Sequence, residues 1–301
     1  MTKEIKQIIT INGEKVWRIT TPDSRFYGKE IKDQKTGLPV FEWLPSVSWI
    51  KSYYYKSPYL IKWIAERGIS EADAIKQEAG KQGDRIHQAC EDIDKGEEVK
   101  IDAKYLNKET GILEELNAEE LTAIKSFVDY LNDNKPELIA NEMTVLSKTY
   151  AGTLDRIIAQ GEVKKGVRQI YIVDLKTSKS IYTDMIIQLS AYSHADIDYK
   201  ALKITDEEWK NRKLLILQLG YLLNKKKYKA TEVEDRYDLF EIAYKIWQEE
   251  NKDIQPKQRD FPLVLKAQCR EKNNDKPNDQ SLSQKPNNNN RRRPATINAG
   301  A

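Results

Sequence analysis

Cysteine is nearly absent: Cys90 and Cys269 are the only two in 301 residues, far apart and in no C-x-x-C pairing. That excludes a disulfide framework and, within one chain, a four-cysteine zinc or iron–sulfur site. No apolar run approaches the length of a membrane span, and Met1-Thr2-Lys3-Glu4 lacks the apolar core of a signal peptide. The expected setting is therefore a reducing cytoplasm, with no membrane partner. An excess of one charge is missing too: 50 Lys and Arg against 47 Asp and Glu leave a net +3. Any surface for a polyanion has to come from local segregation of charge. Histidine occurs only at His87 and His194, and no internal repeat is visible.

What is present suffices for a core. The chain is 39% hydrophobic and 32% charged, long enough for one large domain or two modest ones. Residues 6–21 alternate around Asn12-Gly13, which predicts a hairpin with strands 8–11 and 16–20 and a two-residue turn. Pro45-Ser46 reads as a helix entry, and a helix carrying Trp49, Tyr53, Leu60, Ile61 and Trp63 follows, with a break near Ser57-Pro58. Residues 70–95 read as a helix on which Gly83, His87 and Glu91 share one face. Further helices are expected over 116–131, 183–196 and 237–250. Strands are expected over 138–146, where Glu142 lies, and over 214–223; 161–166 reads as a basic hairpin loop. Beyond about Lys266 the composition collapses to Asn, Asp, Gln, Pro and Lys, with Arg291–Arg293 near the end. The expectation is a folded domain over 1–266 and a disordered polar and basic tail over 267–301.

Residues 150–192 organise the rest. They read as two strands and a helix: Y-A-G-T-L-D-R-I-I, then I-Y-I-V-D-L-K-T-S, then Q-L-S-A-Y. Side chains alternate across a strand, so Asp174 and Lys176 point to one face while Val173 and Leu175 point into a core. A carboxylate and an ammonium at the end of an apolar strand are costly to half-bury unless paired. A divalent metal is the natural third party, with Asp155 on the neighbouring strand as second carboxylate. The alternative is a plain strand-end ion pair. Asp155 and Asp174 offer hard oxygen ligands suited to Mg²⁺ or Mn²⁺. Lys176-Thr177-Ser178-Lys179, Lys164-Lys165 and Lys225–Lys227 are candidates for neutralising phosphates, and Trp49, Tyr53, Tyr54, Tyr55 and Trp63 for stacking on unpaired bases. Solvated faces and core packing are the competing readings of these groups.

Gly152-Thr153-Leu154-Asp155, Asp174-Leu175-Lys176 and Gln188-Leu189-Ser190-Ala191-Tyr192, in that order and spacing, resemble the PD-(D/E)XK nuclease superfamily in its RecB-like branch. The run P-S-V-S-W-I, Lys62-Trp63 and the helix G-D-R-I-H-Q-A-C-E extend the likeness to phage-type and mitochondrial genome-maintenance single-strand DNA exonucleases. The match spans roughly residues 40–195. The resemblance implies an α/β fold: a mixed central sheet flanked by helices, a restriction-endonuclease-like core, here with an N-terminal hairpin and helical cap. It implies a metal-dependent DNA exonuclease favouring single-stranded ends, at work in phage-type replication, recombination or repair in a phage or bacterial host cytoplasm. Asp155, Asp174, Lys176 and Glu142 would be catalytic. His87, Asp155, Asp174 and the Leu175 carbonyl would hold Mg²⁺ or Mn²⁺, the imidazole favouring Mn²⁺. Gln188 and Tyr192, with Thr177 and Lys179 beyond the strand, would meet DNA. Some RecB-like nucleases carry an iron–sulfur cluster, for which this chain has too few cysteines. An endonuclease or nickase of the same fold, and a catalytically silent nucleic-acid-binding module, are the alternative readings.

Overall fold

Asn12-Gly13 reverses the chain, but through a wider loop than a two-residue turn. Thr10 N–H donates to the Glu14 carbonyl and Gly13 N–H to the Thr10 carbonyl, each at 2.9 Å. Gly13 takes φ 75°, the left-handed position that glycine fills in a three-residue connection. The strands joined are β1 (Glu4–Ile9) and β2 (Lys15–Thr20). The expected lone hairpin needs correcting: β3 (Arg25–Lys32) and β4 (Pro39–Pro45) extend it into a four-stranded antiparallel sheet in chain order. Phe26, Tyr27 and Gly28 are buried in succession on β3, and Glu30, Ile31 and Lys32 are exposed in succession, so no alternation marks it.

The computed structural model describes residues 4–254 apart from 22–23, 35–36, 38, 108–109, 162–165 and 253. All lie in the unit Met1–Pro256. The tail expected over 267–301, and Lys164 and Lys165 of the expected basic loop, lie outside the described residues.

Ser46 caps helix α1 (Val47–Lys51), its hydroxyl accepting from Trp49 N–H. The expected break comes at Ser57-Pro58: Ser57 caps α2 (Pro58–Arg67) and Pro58 occupies its first turn, where its missing N–H costs nothing. Gly68, at φ 85°, turns the chain into the long α3 (Ile69–Asp94). No residue of α2 is buried, and Ala72 is the only buried residue of α3 before Arg85. A two-stranded ribbon, β5 (Lys104–Leu106) and β6 (Leu113–Glu115), precedes α4 (Ala118–Asn134), which starts with a capping box between Asn117 and Glu120.

Five strands follow: β7 (Glu137–Leu146), β8 (Ala151–Ala159), β9 (Ile170–Lys176), β10 (Lys213–Leu219) and β11 (Tyr228–Val233). They form one mixed sheet in the order β11-β10-β9-β8-β7, parallel only between β9 and β10. Between β9 and β10 run α5 (Thr183–Ser193) and the short α6 (Asp206–Lys210); α7 (Tyr237–Glu250) ends the described chain. The class is thus α/β, with helices on both faces of the main sheet. On one face Ile86, Cys90, Ile124 and Phe127 of α3 and α4 pack on Val173, Leu175 and Leu217. On the other, Val47, Ile187, Phe240 and Trp247 of α1, α5 and α7 pack on Leu154 and Ile157. At ~25 cal/mol per Å² of apolar surface removed from water, these two layers supply the main stabilisation.

Two further boundaries shift. β10 stops at Leu219, not at 223, because Gly220 takes φ 68° and turns the chain out, leaving Leu222 and Leu223 exposed. α5 stops at Ser193, not at 196, because Asp196 N–H is drawn to the Leu146 carbonyl at 2.8 Å. Among the described residues no helix is long and apolar enough to cross a membrane.

Candidate functional site

The main sheet opens where β8 leaves β9. The two pair from Arg156–Val173 to Ala159–Ile170 and no further. Past that point Leu175 N–H donates to Asp155 Oδ2 at 2.7 Å, a side chain taking the place of a ladder partner. Asp155 is thereby fixed in the opening, beside Asp174 and Lys176 at the end of β9.

His87 reaches the same opening from α3 and Glu142 from β7. His87 Nδ1 stands 3.8 Å from Asp155 Oδ2 and 4.0 Å from Glu142 Oε1. One ligand atom from each of His87, Glu142 and Asp155 lies within 4.8 Å of the others. Donors held ~2.0–2.3 Å from one ion stand ~3–4.5 Å apart, so these separations suit a single divalent cation. Glu142 adopts φ 45° within β7, a conformation that costs a non-glycine residue on the order of 1–3 kcal/mol and that clusters at functional sites. Burial lowers the proton affinity of the His87 imidazole, but the Asp155 and Glu142 carboxylates outweigh it, so its pKa is raised.

Asp174 is a deeply buried carboxylate, 1% exposed. Lys176 Nζ pairs with Asp174 Oδ2, yet neither Asp174 oxygen has a well-aligned hydrogen-bond donor. Burial pushes this carboxyl up against the pull of Lys176. Burial alone would lower Lys176, but Asp174 and Asp155 reverse that and hold it charged. Asp174 is not one of the three residues whose donors converge; it flanks them.

On the α5 side, Gln188 Nε2 donates to Tyr192 Oη at 2.9 Å, and Lys51 Nζ donates to Gln188 Oε1 at 2.7 Å. Lys51 also stands 3.4 Å from Asp184. Desolvation lowers its pKa, with Asp184 opposing and Lys176 assisting. Lys51 is a site residue that the motifs miss. The available signal was its place directly after P-S-V-S-W-I, as the last residue of a short capped helix. Tyr27 Oη meets Thr153 Oγ1 at 3.2 Å, which ties the N-terminal sheet to the strand bearing Asp155.

The remaining candidates fall outside this cluster. Thr177 and Lys179 are exposed beyond the end of β9. Glu91, one turn past His87, pairs with Lys95 at 2.8 Å on the helix surface. His194 caps α5, stacks on Tyr237 and pairs with Asp235. Trp49, Tyr53 and Tyr54 pack against the core, whereas Tyr55 is exposed. A separate cleft of about 430 Å³ lies between the first hairpin and the β7–β8 connection, lined among others by Thr10, Lys29, Glu42, Thr144 and Lys148. None of the residues of the opening lines it.

Comparison with models of known protein families gives no match, and comparison with curated proteins gives none.

Proposed function

We propose that this chain is a metal-dependent deoxyribonuclease with a restriction-endonuclease-like core, acting as an exonuclease on single-stranded DNA ends. The observation that carries the reading is the meeting of His87, Glu142 and Asp155 in the β8–β9 opening, beside the buried carboxylate Asp174 that pairs with Lys176. An imidazole, two carboxylates and an adjoining buried carboxylate fit a divalent cation. His87, Glu142 and Asp155 would hold it, with Asp174 and the Leu175 carbonyl adjoining; the imidazole favours Mn²⁺ over Mg²⁺. When bound, such an ion supplies Lewis-acid polarisation of the phosphate and a lowered pKa for attacking water.

The chain's own groups have separable tasks. Lys176, kept charged by Asp174 and Asp155, is a fixed positive charge that orients the attacking water and stabilises charge developing on the phosphoryl oxygens. Asp155, anchored by the Leu175 amide, keeps its geometry without reorganising. Lys51 and Gln188 form a polar wall facing the strand, and Thr177 and Lys179 offer exposed contacts to the phosphates that follow. The choice of exonuclease over endonuclease or nickase follows from the resemblance of the P-S-V-S-W-I run, Lys62-Trp63 and the G-D-R-I-H-Q-A-C-E helix to single-strand exonucleases. The intact Asp155, Asp174 and Lys176 favour a catalyst over a silent binding module.

The test is thermal denaturation with Mn²⁺, Mg²⁺ or EDTA, paired with a DNA cleavage assay, on the wild type and Asp155→Asn. Metal-dependent stabilisation and cleavage in the wild type, both lost in the variant, are expected. Cleavage undiminished in Asp155→Asn would overturn the site.

A further inference from the structure

His87 lies on α3 between two buried ion pairs. On its N-terminal side Arg85 is held by Glu120, at 2.6 Å and 2.8 Å, and by Glu114 at 2.6 Å. On its C-terminal side Asp94 Oδ2 pairs with Arg156 Nη2, and both side chains are almost fully buried. Neither pair touches the metal-binding trio, and the proposed chemistry uses neither.

The Asp94–Arg156 pair is poorly built for stability alone. Arg156 Nε and Nη1 have no hydrogen-bond partner. Its guanidinium instead lies over the Phe127 ring, 4.4 Å from the centroid. Exchanging such a pair for apolar side chains is often neutral or stabilising. Direction is what it supplies. Between the two pairs α3 buries only Ile86, Ala89 and Cys90. Arg156 is the residue after Asp155 on β8, and Asp94 lies seven positions, two helical turns, beyond His87 on one face. One dipeptide of β8 thus meets α3 twice, at His87 through Asp155 and at Asp94 through Arg156.

We infer that Asp94 and Arg156 are positioning residues: their buried pair fixes the register of α3 on β8 and so sets His87 against Asp155 and Glu142. The placement of His87 is independent of the nuclease reading; the consequence for metal affinity rests on it.

The test exchanges the pair for apolar residues, Asp94→Leu with Arg156→Met, and compares it with the isosteric Asp94→Asn. Three quantities are read on the full chain: the metal-free melting temperature, the His87 ring-proton resonance at fixed pH, and the Mn²⁺ concentration at half-maximal thermal stabilisation. His87 is assigned in a His194→Gln background, which leaves one histidine signal. The expected result is a folded double variant with a near-wild-type melting temperature, a His87 resonance displaced toward that of free imidazole, and a Mn²⁺ midpoint raised ~10–100-fold, the usual penalty for disturbing a group that orients a ligand. A folded variant with the His87 resonance in place and an unchanged Mn²⁺ midpoint overturns the inference. Should the double variant fail to fold, Asp94→Asn is judged on the same criteria. A wild type without any Mn²⁺ response would overturn the metal reading, and the His87 resonance alone would then decide the positioning role.

Discussion

Tyr192 packs its ring edge directly on the backbone of Gly152. A Cβ at Gly152 would stand 2.5 Å from Tyr192 Cε1 and 3.3 Å from Val47 Cγ2. The glycine opening G-x-x-D and the tyrosine closing Q-x-x-x-Y are therefore one packing unit, and α5 approaches β8 this closely only because position 152 carries no side chain. Tyr192 is 3% exposed, so its ring has no free space to yield.

Gly152→Ala tests that contact. The expected cost is ~1–3 kcal/mol, typical of overpacking a close-packed interior. It should be accompanied by loss of the Tyr192–Gln188 hydrogen bond and weaker substrate handling through Gln188 and Lys51. Chemical denaturation gives the first quantity and the Michaelis constant for DNA the second. A variant as stable as the wild type would mean that α5 sits further from β8 than described.

Lys176→Ala leaves Asp174 as a buried carboxylate without its cation. Removing one partner of a buried pair costs ~3–5 kcal/mol, so the metal-free variant should melt well below the wild type. Mn²⁺ should restore part of that loss while cleavage stays abolished. Retained cleavage would remove Lys176 from the catalytic role, and an unchanged metal-free melting temperature would refute its pairing with Asp174.

His87→Ala should separate metal use from folding, because the imidazole is only partly buried. The expected outcome is a melting temperature close to wild type without metal and a Mn²⁺ midpoint raised ~10-fold or more, the loss of one ligand among several. Reduced solubility with normal specific activity in the soluble fraction would instead make His87 a structural residue.

Acid stability has a separate origin, away from the site. Arg168 lowers the Glu208 carboxyl to about 2, against the upward push of burial and with help from the Thr205 and Arg168 amides. Because the folded pKa lies below the unfolded value, this stabilisation is fully present above pH ~4.5 and is lost as the pH falls toward 2. Glu208→Gln should remove on the order of 1–3 kcal/mol at neutral pH and flatten the acid limb of the stability profile. An unaltered acid limb would contradict the assignment.

The sequence exposed some of this molecule and hid the rest for physical reasons. β9 was legible because four apolar residues lead into Asp174-Leu175-Lys176, and the break before α2 because Ser57-Pro58 punctuates it. β3 was not legible, since successive buried residues followed by successive exposed ones carry no alternation. β11, an edge strand, was missed although Y-K-A-T-E-V has the polar character of one. Within the site, each of His87, Glu142 and Asp155 was individually visible, but the convergence of those three rather than of the two aspartates was not. That depends on Asp155 turning into the sheet opening to meet the Leu175 amide, a long-range event without a local sequence signal. The buried pairing of Asp94 with Arg156, across 62 positions, escapes sequence for the same reason.

The central claim is metal-dependent hydrolysis of DNA from a free end. It is tested most directly by incubating end-labelled linear single strands, linear duplex and closed circular single strands with Mn²⁺, Mg²⁺ or EDTA, using Asp174→Asn as control. The account predicts that linear single strands are degraded only with metal, that circles survive, and that the variant is inactive. Metal-dependent cutting of the circle would make the chain an endonuclease, and no cleavage of any substrate would contradict the account.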